Sequence, residues 1–212
     1  MSIDNQSEYW DKVAYAKTFT HPLNKEVLTT RLSADSKILD FGCGYGRIVK
    51  ELSDVGFTNV VGYDTSKELV GRGRQQNNLS LFHITSPLDL PVRNNSVDCI
   101  LLFAVLTCIP SNNGQKELLK LLRSKLKPEG IIYISDYYLQ NNSPEVKRYQ
   151  YFNDDEDNFG VFKLSEGVTF RHHTREWISE LTKEFKILLE NPIQVMTMNG
   201  HTAEAFQLVG QK

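Results

Sequence analysis

The chain has 212 residues, is 40% hydrophobic and 24% charged, and carries a formal net charge of −2. That suits one globular domain, and the lack of a Lys/Arg stripe argues against an electrostatic hold on nucleic acid. No apolar run can span a membrane, residues 1–6 form no signal core, and Cys43, Cys99 and Cys108 have no metal or disulfide spacing, so a cytoplasmic protein with reduced thiols and no metal is expected.

The first predicted element is a helix over residues 7–16, followed by a second from Pro22, a favourable first-turn residue, to Arg31. Tyr9, Trp10 and Tyr15 suit the packing of an amphipathic flap, while His21 at the junction reads as an exposed linker residue, with lining of the pocket as the alternative. Ile38, Leu39 and Asp40 then read as a short buried strand ending in an acid. Gly42, Gly44 and Gly46 make a tight turn around Cys43, and helical periodicity resumes at Arg47. Glycine there permits positive φ and lets a ligand reach the backbone. Such a turn opening into a helix presents free amides and the positive end of a dipole. The spacing is not Gly-x-Gly-x-x-Gly, because the third glycine arrives one residue early.

A second strand, 59–63, ends in Asp64, an acid placed to accept from ribose hydroxyls. Thr65 to Glu68 has capping-box form and starts a helix to about Asn77. A third strand over 79–83 leads to the loop Ser86–Pro91. The apolar run 97–103, ending in Phe103, suits a central parallel strand buried on both faces. A leucine-spaced helix over 118–126 ends at a Lys127–Gly130 turn, and a fifth strand spans 131–136.

Residues 137–173 are too long for an ordinary connection and are expected to form an inserted cap. Within it, 159–164 and 168–172 flank Ser165-Glu166-Gly167 as a hairpin. The acidic run 154–157 reads as a solvated surface, with a counter-surface for a cationic substrate as the alternative and no His or Cys spacing to support a metal. His172 and His173 point to opposite faces of their strand, so at most one can meet a pocket as general base. The alternative is a polar strand end, with Thr174 capping a helix over 175–183. Strands at 185–189 and 205–209 close the chain as an antiparallel hairpin, with residues 197–201 as its loop, facing either solvent or the cap.

Asp40 through Arg47, Asp64, the Ser86–Pro91 loop and Lys127-Pro128-Glu129-Gly130, in this order, resemble the class I S-adenosylmethionine-dependent methyltransferases over residues 36–136. The resemblance implies a Rossmann-like α/β fold: a seven-stranded, mostly parallel sheet in the order 3-2-1-4-5-7-6 with helices on both faces. It implies one methyltransferase domain, with residues 1–35 as an N-terminal helical flap and 137–173 as the cap. The implied cofactor is S-adenosylmethionine, leaving as S-adenosylhomocysteine, on Asp40, Gly42, Cys43, Gly44, Gly46, Asp64, Thr65, Ser86, Pro87, Phe103 and Tyr15. Ser86 stands where the family usually has an acid, and Asp89 is an alternative partner for the adenine amino group. No Asn/Asp-Pro-Pro-aromatic motif follows Phe103, which speaks against a nucleic-acid amine or an amide as substrate. A small molecule on Tyr137, Arg148, Tyr149 and Tyr151, methylated at O or N in line with the donor and served by His172 or His173, is the implied reaction. A nicotinamide-dependent oxidoreductase and a non-catalytic cofactor-binding module remain as alternatives.

Overall fold

The computed structural model describes residues 6–141, 148–149 and 159–212. Its centre is a seven-stranded sheet: β1 (Ile38–Phe41), β2 (Val60–Asp64), β3 (Leu81–His83), β4 (Val97–Phe103), β5 (Leu126–Tyr137), then β8 (Lys186–Met196) and β9 (Thr202–Gln211). The order β3-β2-β1-β4-β5-β9-β8 is the expected one, renumbered because two cap strands, β6 (Val161–Lys163) and β7 (Thr169–Arg171), intervene. β3 through β5 are parallel, while β9 runs antiparallel to β5 and β8 antiparallel to β9.

Alternation along β4 explains the layering. Ile100 and Leu102 face one core with Leu118 and Leu122 of α5 (Asn112–Lys125) and Ile178 of α6 (Arg175–Thr182). Cys99 and Leu101 face the other, with Leu28 of α2 (Lys25–Thr29), Ile48 and Leu52 of α3 (Arg47–Asp54), and Val70 of α4 (Lys67–Asn77). Each fully buried Leu or Ile contributes roughly 1.5–3 kcal/mol. The two cores fix the sheet and aim the carboxyl ends of its parallel strands at one crevice.

Several boundaries differ from the sequence reading. The second helix starts after Asn24, not at Pro22, and occupies only Lys25–Thr29. α5 begins early because the Ser111 hydroxyl accepts from Gly114 N–H and caps it. No separate turn follows α5: Lys127–Gly130 already belong to β5, with an irregularity opposite Val97 and Cys99 and Glu129 at φ 64. The last hairpin is longer than expected, and its Met196–Thr202 end projects past the Tyr137–Ala205 pair where β5 stops. α1 (Ser7–Val13) packs on α4.

Candidate active site

β1 and β2 end side by side, and the chain between β1 and α3 turns through Gly42, Gly44 and Gly46, all at positive φ. Asp64 binds this turn to β2: Gly44 N–H donates to its Oδ2 at 2.7 Å and Ser66 N–H to its Oδ1 at 2.8 Å. Each oxygen keeps a further lone pair. Burial raises the Asp64 pKa, and the two N–H bonds oppose that shift. Asp40 is 2% exposed and its Oδ2 has no hydrogen-bond partner. Burial lifts its pKa to about 8, against the pull of Arg47 and with repulsion from Asp64.

The N-terminal segment closes over this turn. A Cβ on Gly44 would lie 2.1 Å from the Phe19 ring. Phe19 stacks on Tyr45 with centroids 5.0 Å apart, and the Arg72 guanidinium lies 3.9 Å from the Tyr45 centroid. Arg72 Nη1 donates to the carbonyls of Ala14 and Lys17, and the Asp11 carboxylate accepts from Ser66 Oγ and Glu68 N–H. The flap is thus fastened to the start and middle of α4.

Next in the chain, His21 is 4% exposed, so the expectation of an exposed linker is corrected. Its Nδ1 lies 3.1 Å from Ser135 Oγ, its ring stands edge-on to Tyr137, and its carbonyl accepts from Arg47 Nη2. Burial, with help from Arg47, lowers its pKa to about 3. Four buried polar atoms without hydrogen-bond partners lie on residues that line one cavity: Thr20 Oγ1, His21 Nε2, Asp40 Oδ2 and Arg47 Nε. Unpaired buried groups cost about 1–3 kcal/mol each, more when charged. Four on one cavity could be met by the polar end of a ligand.

That cavity holds about 340 Å³, within the range of small-molecule sites. Of the predicted residues it brings together Asp40, Gly42, Cys43, Asp64, Thr65, Pro87, Phe103, Tyr137, Arg148 and His172. Seven others lie off it. Gly44 is under Phe19, and Gly46 backs onto Leu79 and Leu81. Ser86 spends its hydroxyl on Leu88 N–H, Asp89 accepts from Thr85, and Tyr15 is 65% exposed. Tyr149 sits behind His172 with its hydroxyl 2.6 Å from Nδ1. Tyr151 and the acidic run 154–157 lie outside the described residues.

His173 is the seventh, and its geometry does not suit a base. It occupies the opposite face from His172, where Nδ1–H donates to the Tyr137 carbonyl at 3.1 Å. Nε2 faces the Gln115 amide nitrogen at 2.9 Å, a group that only donates, so the imidazole is neutral. Burial lowers the His173 pKa to about 3 and lifts that of Asp136, 3.8 Å away, to about 7. His173 is a bolt between cap and sheet.

The far wall comes from the hairpin loop that the sequence leaves open to solvent or the cap. The tip of the β8–β9 hairpin reaches the cavity through Met198, Asn199 and Thr202, and Lys17 of the flap donates to Asn199 at 2.8 Å. Gln6 clamps flap to cap, bonding both N–H and C=O of Thr169. Among the described residues no metal-holding cluster occurs, and no helix is long and apolar enough to cross a membrane.

A family model described as a methyltransferase domain matches residues 14–182. A search of curated proteins found no match. Among solved structures the chain is similar to an S-adenosylmethionine-dependent methyltransferase from Methanosarcina mazei, at 22% identity over 88% of this chain and 96% of that one, with a TM-score of 0.80. It is similar to the 1,6-didemethyltoxoflavin-N1-methyltransferase of Burkholderia thailandensis, solved with 1,6-didemethyltoxoflavin and S-adenosylhomocysteine bound, at 14% identity, 98% and 79% coverage and a TM-score of 0.63. A cyclase is also similar, at 13% identity, 100% and 96% coverage and a TM-score of 0.67. These likenesses show the fold, which by itself does not fix a reaction.

Proposed function

Since this chain belongs to the methyltransferase-domain family, as a class I S-adenosylmethionine-dependent enzyme, we propose that it methylates a small molecule at oxygen or nitrogen beneath the cap. The observation that carries the reading is the set of four unpartnered polar atoms around the glycine turn. Arg47 Nε offers a donor, Asp40 Oδ2 an acceptor, and Thr20 and His21 further polar contacts. That set fits the zwitterionic end of an amino-acid-bearing cofactor. Asp64, with spare lone pairs on both oxygens, suits the ribose hydroxyls. Ile84 and Pro87 offer an apolar floor for a base.

The cofactor, when bound, supplies a methyl group on a positively charged sulfur, already a good electrophile. The protein's task is then positioning, which is worth about 7–11 kcal/mol when reacting atoms are held in line. In this reading residues 1–35 act as the flap and 137–173 as the cap of one domain. Phe19 and Trp10 exclude water from above, and Phe103 and Tyr137 border the reacting centre from the sheet. A small substrate is supported by the cavity volume and by the cap that roofs it, and the net charge of −2 supports no nucleic-acid partner. Free Cys43, Cys99 and Cys108 support a cytoplasmic setting.

Calorimetry with S-adenosylhomocysteine and with NAD, followed by turnover of S-adenosylmethionine on a metabolite panel, tests the reading. Binding of the first ligand alone, with methylated product, is expected. Binding of neither, in folded protein, would overturn it.

A further inference from the structure

The chain leaves β4 through a left-handed corner. Ala104 sits at φ 54, a conformation that costs a residue with a side chain energy and persists only where its surroundings hold it. Its N–H donates to the Ser135 carbonyl at 2.8 Å, and one turn of 3-10 helix, Leu106–Cys108, follows. Every residue from Phe103 to Ile109 except Leu106 lines the cavity, and Leu106 is fully buried in the core. Backbone outliers of this kind gather at sites where geometry serves function.

The corner touches both halves of the cavity. A Cβ on Gly42 would lie 2.5 Å from Val105 Cγ2, so the turn packs against the glycine-turn cradle. At its far end the Cys108 carbonyl accepts from Gln6 of the flap at 3.0 Å, and the Pro110 carbonyl accepts from Arg171 of the cap at 3.0 Å. Two buried side chains that do not line the cavity pin it in place. Asp136 Oδ2 accepts from Thr107 N–H at 3.2 Å. Gln115, in α5 and 0% exposed, donates from Nε2 to the Leu106 carbonyl at 2.9 Å and to the Ile109 carbonyl at 2.8 Å. One amide thus staples both ends of the turn. Its Oε1 accepts from Trp177 Nε1–H at 2.6 Å, which fixes which end of the amide faces the turn. His173 Nε2, 2.9 Å from the same nitrogen, competes for its two hydrogens.

We propose that Gln115 is a positioning residue for methyl transfer, holding the Ala104–Ile109 turn where donor and acceptor meet. The proposal rests on the methyltransferase reading for the reaction, but the clamp is read from hydrogen bonds within the protein. A glutamine suits the task because it carries two hydrogens. An apolar side chain of the same length would leave two buried carbonyls unmet, and the turn would relax towards other donors. Alignment is unforgiving: a shift of about 1 Å at the reacting atoms can cost about 100-fold in rate.

The test uses the full chain with S-adenosylmethionine labelled with carbon-13 at its methyl group. Gln115→Met keeps the volume and removes the donors. Its S-adenosylhomocysteine affinity should stay within about twofold of the parent in calorimetry, because the polar groups of the cradle are untouched. The resonance of the bound methyl should shift or broaden. Turnover of acceptors found in the metabolite panel should show kcat lower by about 10- to 100-fold with the S-adenosylmethionine KM unchanged. His173→Ala is the control, since it loosens the same interior but leaves both turn carbonyls their hydrogens. Its methyl resonance and kcat should match the parent. If Gln115→Met does not fold, Asp136→Asn, which loosens the other pin, is read in the same way. A lower Tm with the parent's resonance and kcat would overturn the proposal and leave Gln115 as a core strut. An equal change in His173→Ala would overturn it too. A parent protein that binds no S-adenosylmethionine would instead sink the cofactor reading, so the two failures are distinguishable.

Discussion

The glycine-turn cradle and the cap wall spend their polar groups in opposite ways. In the cradle, backbone amides hold Asp64, while Thr20, His21, Asp40 and Arg47 each keep a buried atom unpaired. On the cap, Tyr149 orients His172, Gln115 and Tyr137 hold His173, and Gln140 serves three backbone partners. A site for a ligand of fixed shape can be left as unmet demand around a backbone motif. A wall that selects among substrates must orient each donor by side chains from several segments.

The largest expected effect breaks the cradle. Asp64→Ala removes two acceptor oxygens offered to the ribose and also releases Gly44 and Ser66 N–H. Loss of two charge-assisted bonds should weaken S-adenosylhomocysteine about 100-fold or more in calorimetry. Unchanged affinity in a folded variant would move the ribose elsewhere.

His173→Ala tests the contrast from the cap side. It deletes a fully buried ring together with its bond to the Tyr137 carbonyl. The expected cost is about 2–4 kcal/mol of stability, read as a drop in Tm with activity per folded molecule kept. A base would give the reverse: a normal Tm and a collapsed kcat. That pattern would restore His173 to the chemistry.

The two regions also differ in how far the sequence alone revealed them. Asp40, the glycines and Asp64 are legible because backbone geometry demands them at fixed spacing, periodicity marks the strands, and the sheet order comes only with the family resemblance that those motifs carry. His21 is not legible, since its burial depends on Ser135 and Tyr137 more than a hundred residues away. The same holds for the opposite fates of His172 and His173: alternation places them on two faces, but only Gln115 and Tyr149 decide what each face meets. Phe19 over Gly44 was hidden for the same reason, so the steric partner of that glycine in this structure is the flap.

A smaller effect sharpens the electrostatics of the cradle. The unfolded-state histidines, half protonated at their ordinary pKa of about 6.5, are mostly neutral above about pH 7.5. A falling slope there belongs to groups whose pKa the fold raises, carboxylates and buried thiols alike. Asp40, lifted to about 8, holds a proton in the folded state that the unfolded chain has already lost. Once the unfolded-state histidines are neutral the folded state binds more protons, and stability should fall as pH rises from about 7.5 through 8. Asp40→Asn should flatten that slope in urea titrations taken across this window. A slope unchanged in the variant would mean that the other raised groups, Asp136, Asp64 and the buried thiols, carry it instead.

The smallest effect is expected where flap, cap and hairpin tip meet at the cavity mouth. Lys17 joins Asn199 at 2.8 Å and Glu166 at 3.6 Å, and Tyr9 also reaches Glu166. Glu166 is half exposed, and exposed pairs of this kind contribute about 0–1 kcal/mol. The aromatic stack of Phe19 on Tyr45, backed by Arg72, buries more and does not depend on salt. Lys17→Ala should therefore raise the S-adenosylhomocysteine dissociation rate by no more than about fivefold, and less at high salt. Phe19→Ala should raise it further at every ionic strength. If Lys17→Ala matched Phe19→Ala at low salt, the flap would be held by charge at the mouth rather than by the ring over Gly44, and the polar contacts of the three segments would be the true clasp.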